Sequence, residues 1–217
     1  MNEEEFHDRW AREIDPSQLL VEESFEACTA PETRQIMEWL GSVHGKKILD
    51  LGCGAGEAAV YFAIKGARVT AADLSAGMLN VAQALASRRH VAINTRQCLS
   101  HRTGLPDQEF DIIYAANLLH HVDKRQTLAE VSRLLKPGGL AVFWDPLRHN
   151  PLINIYRLLA RRVRTDGEQP LHINDRKIFK QYFPVVTYKC YWLTTLWIFI
   201  AFFLKERVNP NQERYWK

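Results

Sequence analysis

Ile48-Leu49-Asp50-Leu51-Gly52-Cys53-Gly54-Ala55-Gly56 decides the fold. Four residues of an apolar strand run into three glycines, and an apolar helical pattern follows over 58–64. Glycines let a backbone turn tightly and approach a ligand closely. A helix that starts there offers unpaired N–H groups and a partial positive charge, which suits a carboxylate or a phosphate. A dinucleotide fingerprint would place a small residue at the sixth position of this glycine pattern, where Glu57 stands instead. A carboxylate beside a pyrophosphate is unfavourable, so a ligand with one carboxylate and one amine fits better. Asp50, just before Gly52, Cys53, Gly54 and Gly56, is placed to help hold that amine.

Working outward, strand and helix patterns alternate. Residues 47–51, 68–72, 91–97, 111–115 and 140–144 read as strands. Residues 76–86 and 125–135 read as helices, the second ended by Lys136-Pro137-Gly138-Gly139. Alternation with short joints predicts an α/β fold: a doubly wound, mostly parallel sheet with helices on both faces. In such sheets the ligand crevice lies at the carboxyl ends of the strands, where strand order reverses. Upstream, Pro31 marks the start of a helix carrying Ile36, Met37, Trp39 and Leu40. Beyond Trp144, helices are expected over 152–163 and 175–183, and a sixth strand over 185–191. The organisation expected is an N-terminal helical lid over 1–40, a cofactor-binding core over 41–147, and a basic and apolar C-terminal part over 148–217.

Asp73 ends the second strand and can accept both hydroxyls of a ribose. The other reading, a helix cap, falls more naturally to Ser75. Leu74 and Met78 are placed either to pack on a base or to fill the core.

Here the chain resembles the class I S-adenosylmethionine-dependent methyltransferases, in the small-molecule branch that includes the ubiquinone and menaquinone biosynthesis type. The resemblance spans about residues 40–145. It rests on the run 48–56, Asp73, Leu105-Pro106 with Phe110-Asp111, the run Asn117-Leu118-Leu119-His120-His121-Val122, and Leu135-Lys136-Pro137-Gly138-Gly139. It implies a Rossmann-like methyltransferase fold, S-adenosylmethionine as cofactor, and methyl transfer from its sulfonium to a small molecule. It also implies that Gly52, Gly54 and Gly56 cradle the methionine part and Asp73 the ribose. Backbone near Ala116 and Asn117 then touches the cofactor, and His120 lines the substrate pocket. One departure stands out. The family often has Gly-Asp-Ala after strand three, with the acid on the adenine amino group. This chain has Gln97-Cys98-Leu99-Ser100, which leaves adenine to backbone around Cys98 and Leu99.

In-line methyl transfer needs positioning, and a general base when the nucleophile is a hydroxyl or a protonated amine. His120 is the first candidate for that base, with Asp145 and His149 after strand five and His7 in the N-terminal helix as further candidates. The alternative for either His120 or His121 is a structural histidine. No Asn/Asp-Pro-Pro-Tyr follows strand four, which argues against a nucleic-acid amino-methyltransferase. No metal site is expected from the acidic spacing. The alternatives are a nicotinamide-dependent oxidoreductase, or a non-catalytic cofactor-binding partner protein at a membrane.

The 217 residues are 47% hydrophobic and 24% charged, ordinary for a folded chain. The acidic first ten residues lack the apolar stretch of a signal peptide, and four scattered cysteines suggest no disulfide framework, so a cytoplasmic location is expected. The net charge of +3 is unevenly spread: residues 1–147 sum to −5 and residues 148–217 to +8. The apolar stretch 191–204 is shorter than the roughly 20 residues a spanning helix needs. With its basic flanks it reads as a core element, a homodimer interface, or a membrane-surface contact through 152–164 and 191–207, the last suiting a lipophilic or lipid-linked substrate.

Overall fold

The computed structural model describes residues 3–27, 30–148 and 169–191. Five strands form one parallel sheet: β1 (Lys47–Leu51), β2 (Arg68–Asp73), β3 (Asn94–Gln97), β4 (Phe110–Ala116) and β5 (Leu135–Trp144), in the order β3-β2-β1-β4-β5. Helices α1 (Glu3–Ala11), α2 (Glu23–Glu26) and α3 (Pro31–Leu40) precede the sheet. Helices α4 (Glu57–Ile64), α5 (Ala76–Arg88) and α6 (Lys124–Leu134) connect its strands, and the short α7 (Arg176–Phe179) follows it.

The central strands are apolar on both faces because both are covered. On one face Ile48, Ile112 and Tyr114 pack with Val60 and Phe62 of α4, Leu85 of α5, and Val21, Phe25, Ile36 and Leu40 from the N-terminal segment. On the other, Leu49, Leu51, Ile113 and Ala115 pack with Val131 and Leu134 of α6. The side-chain period of two sorts neighbours in one strand to opposite cores. Burying a side chain such as Phe62 or Leu49 contributes about 1.5–3 kcal/mol.

Strand order reverses between β1 and β4, which opens a crevice at their carboxyl ends. The loops after β1, β2, β3, β4 and β5 all meet there. Ser75 caps α5, accepting from the Met78 N–H at 3.0 Å, so Asp73 is left for other partners.

The helix expected over 175–183 shortens to α7, and two further expectations change. β5 begins at Leu135, directly after α6, so the Lys-Pro-Gly-Gly run lies within the strand instead of before it. Its register against β4 shifts between Phe110 and Ile112, where the strand absorbs the glycines. The expected sixth strand over 185–191 does not form: among the described residues these pair with no strand. Val185 is 80% exposed and Tyr188 51% exposed, so an apolar pattern without a face to bury against does not become sheet.

Candidate active site

The glycine turn is shaped by close approach. Gly52 has φ +74°, and a Cβ there would sit 2.9 Å from the Leu118 side chain of the loop after β4. Gly56 has φ +87°, and its Cβ would sit 2.5 Å from Ala82 of α5. Either substitution collides and also demands a left-handed backbone. The turn is tied to β2: the Gly52 and Cys53 N–H groups donate to the Ala72 carbonyl at 2.7 and 3.0 Å. Asp73 takes the Gly54 N–H at 2.9 Å on one oxygen and the Ser75 N–H at 2.9 Å on the other. The expected ribose carboxylate is thereby fixed between the glycine turn and the start of α5.

Asp50 is 2% exposed, and its Oδ2 meets no hydrogen-bond partner among the described residues. Burial pushes its carboxyl up to about 8, against the pull of the Ala59 N–H. A buried carboxylate oxygen without a partner is costly, and a cation at this point would relieve it. This unpartnered oxygen and the glycine cradle fit a cofactor with an amino-acid end. Burial also raises the thiols of Cys53, well above its ordinary value, and of Cys98, to about 11. Neither is a ready thiolate, so neither offers a nucleophile at neutral pH.

Across the crevice, Asn117 adopts φ +53°, a conformation asparagine tolerates better than most residues. Its N–H donates to the Trp144 carbonyl at 2.7 Å. The bend turns the chain after Ala116 so that Leu118 faces Gly52 and His120 faces the loop after β5. His120 Nδ1 lies 2.8 Å from Asp145 Oδ1, which also takes the His120 N–H at 3.2 Å. The Asp145 side chain is fully buried and its Oδ2 has no partner among the described residues. The rings of His120 and His121 stand 4.0 Å apart. His121 Nδ1 lies 3.2 Å from Glu3 Oε1, and Glu3 also lies 3.5 Å from His7.

The structure thus brings Asp50, Gly52, Cys53, Gly54, Gly56, Asp73, Ala116, Asn117, His120 and Asp145 to one end of the sheet. Leu74 sits at the same edge, its carbonyl accepting from Gln97. Leu99 is 37% exposed just past β3, beside half-buried Cys98. Met78 is 1% exposed and packs with Ala11, Ala55 and Val81, the core role open to it in the sequence. His7 meets this group at its margin, 6.3 Å edge-on from His121. His149, the 152–164 stretch and the apolar residues after Tyr191 lie outside the described residues.

Sequence reasoning expected an N-terminal lid but named none of the side chains that anchor α1 to the strand ends. Glu3 reaches His121, Glu4 accepts from Gln97 at 3.3 Å, and Asp8 accepts from the Gly77 N–H at 3.0 Å and the Ser75 hydroxyl at 2.5 Å. The Ser75 and Gly77 bonds hold the Asp8 carboxyl below its usual range. The acidic first turn of α1 was the one available signal.

Residues 49–143 match the family model described as a methyltransferase domain. The ubiquinone biosynthesis O-methyltransferase of Alkalilimnicola ehrlichii is 34% identical over 127 residues, covering 58% of this chain and 51% of that protein. The O-methyltransferase resE of Aspergillus sclerotiorum is 37% identical over 135 residues, covering 60% and 50%. The chain spans about half the length of the curated relatives it matches. Among solved structures, the YcgJ protein from Bacillus subtilis superposes with a TM-score of 0.59 at 23% identity, covering 69% of this chain and 66% of that one. A protein from work on conversion of a disulfide bond into a thioacetal group during echinomycin biosynthesis gives a TM-score of 0.61 at 24% identity, covering 82% and 78%. These two likenesses establish the fold. The matches lend the nicotinamide alternative no support.

Proposed function

We propose that this chain is a class I S-adenosylmethionine-dependent methyltransferase that transfers a methyl group to a hydroxyl oxygen of a small molecule. The observation that carries this reading is the His120–Asp145 pair, 2.8 Å apart at the carboxyl ends of β4 and β5. Relatives named O-methyltransferases support the choice of oxygen.

A sulfonium cofactor supplies an already electrophilic methyl group, so the protein's task is to bind, align and deprotonate. In this reading Gly52, Gly54 and Gly56 receive the amino-acid end, Asp50 meets its amine, and Asp73 holds the ribose. Asp145 keeps the proton of His120 on Nδ1, which makes Nε2 the basic atom. His120 Nε2 would take the substrate hydroxyl proton while the bound sulfonium would supply the methyl group to that oxygen. After transfer, with S-adenosylhomocysteine as the spent cofactor, His120 would pass the proton to water. His7 and Trp10 on α1 close the crevice from above, as a lid. The basic 152–164 and apolar 191–207 stretches meet an anionic lipid surface, which suits a lipophilic acceptor. The charge of +8 over residues 148–217 supports this.

The experiment is S-adenosylhomocysteine release by the purified chain offered hydroxyl, amine and thiol acceptors in separate panels. Turnover confined to hydroxyl acceptors is the expected result. Turnover on amines alone would overturn the choice of oxygen, and no binding of S-adenosylhomocysteine would overturn the whole reading. Deleting residues 192–217 is expected to release the protein from anionic vesicles with cofactor affinity kept. No vesicle binding by the intact chain would remove the lipid contact.

A further inference from the structure

The loop after β3 lacks the carboxylate that could grip a base, yet it is held at three separate points. The Cys98 N–H donates to the Asp73 carbonyl at 3.0 Å. The Ser100 hydroxyl lies 3.1 Å from the Thr127 hydroxyl on α6. One helical turn further along α6, Glu130 Oε1 accepts both the Thr103 N–H at 2.9 Å and the Thr103 hydroxyl at 2.7 Å. Thr103 is 1% exposed and Glu130 9% exposed. Arg133 braces Glu130 with bonds of 2.8 and 2.7 Å, and Arg96 of β3 donates to the Thr103 carbonyl at 3.2 Å. The Arg133 hydrogen bonds, with those of Thr103, hold the Glu130 carboxyl down at about 2, so it is ionised throughout the working range.

Asp73 pairs with Gln97 across β2 and β3, and Cys98 is the next residue. In the cofactor reading above, a nucleoside whose ribose rests on Asp73 presents its base to Cys98 and Leu99. Without an acid there, recognition of the base falls to main-chain groups. Their direction depends on where the loop is pinned, and a shift of about 1 Å is enough to spoil a hydrogen bond.

We propose that Glu130, acting through Thr103, is a positioning residue that aims the Cys98–Leu99 backbone at the amino group of the cofactor's adenine. This rests on the cofactor reading above. Glu130 on α6 thus holds the loop and does not touch the ligand.

The test compares two ligands by calorimetry: S-adenosylhomocysteine and its analogue bearing hydrogen where adenine has its amino group. The wild type is expected to prefer the first by about tenfold, the worth of one hydrogen bond. Glu130→Gln and Thr103→Val are each expected to lose that preference by weakening the first ligand about tenfold and the second less than twofold. A purely structural role would lower the unfolding midpoint and weaken both ligands equally, and that result would overturn the proposal. So would a wild type that binds both ligands alike. Should Glu130→Gln not fold, Thr103→Val and Ser100→Ala carry the same comparison. A wild type that binds neither ligand would instead overturn the cofactor reading.

Discussion

The imidazole of His120 is held by a carboxylate that solvent does not reach: Asp145 Oδ1 lies 2.8 Å from Nδ1, and the Asp145 side chain is fully buried. A buried acceptor fixes ring orientation and tautomer together.

Replacing His120 with Ala is expected to lower kcat by about 10²–10⁴-fold, the usual worth of a general base. Asp145→Asn is expected to cost much of that too, by releasing the Nδ1 proton from its carboxylate. Cofactor affinity should change less than threefold in both. Steady-state kinetics beside calorimetry with S-adenosylhomocysteine separates the two effects.

Asp73 holds two backbone N–H groups while facing the expected ribose. Asp73→Ala removes both anchors and is expected to weaken S-adenosylhomocysteine by at least about tenfold. Asp73→Asn, which keeps one acceptor oxygen, should be milder. Equal affinity in all three proteins would take the ribose off this residue.

At Gly56 the obstacle is steric. A methyl group would stand 2.5 Å from the Ala82 Cβ on a backbone of φ +87°. Gly56→Ala is expected to destabilise the fold by about 1–3 kcal/mol, seen as a lowered midpoint in denaturant. Gly54→Ala adds a Cβ that meets no atom within 4 Å, so its cost should come from its φ of +52° alone and be smaller.

Asp50 supplies a pH dependence whose sign can be worked out. Burial raises its folded carboxyl to about 8 from an ordinary value of 3.8. The folded state then binds the proton more tightly than the unfolded state, so stability falls as pH rises from about 4 towards 8. Asp50→Asn should flatten that part of the stability profile. An amine beside Asp50 favours the ionised form, so ligand binding at pH 7 should release part of a proton. Calorimetry in buffers of different ionisation enthalpy measures that release, and Asp50→Asn should abolish it.

Much of this was legible in the residues. β1 was read to its last residue because a short strand buried on both faces is a continuous apolar run, and the glycines end it abruptly. The stretch 185–191 misled for the same reason reversed: it has the composition of a strand, but pairing needs a covered face, and Val185 has none. His120 and Asp145 were each legible by position after a strand. Their 2.8 Å contact was not, because it joins residues 25 apart through the β4–β5 pairing. Nothing in sequence ties Glu130 to Thr103, 27 residues earlier.

Helix α1 is only nine residues long, too short to persist in water by itself. Its anchors at Gln97, Ser75 and His121 stand 93, 67 and 118 residues from their partners along the chain. The segment therefore settles late, and only on finished β2, β3 and β4 ends. A misfolded sheet would leave these residues unattached, so protease sensitivity of α1 should serve as a simple gauge of whether the strand ends beneath it have formed.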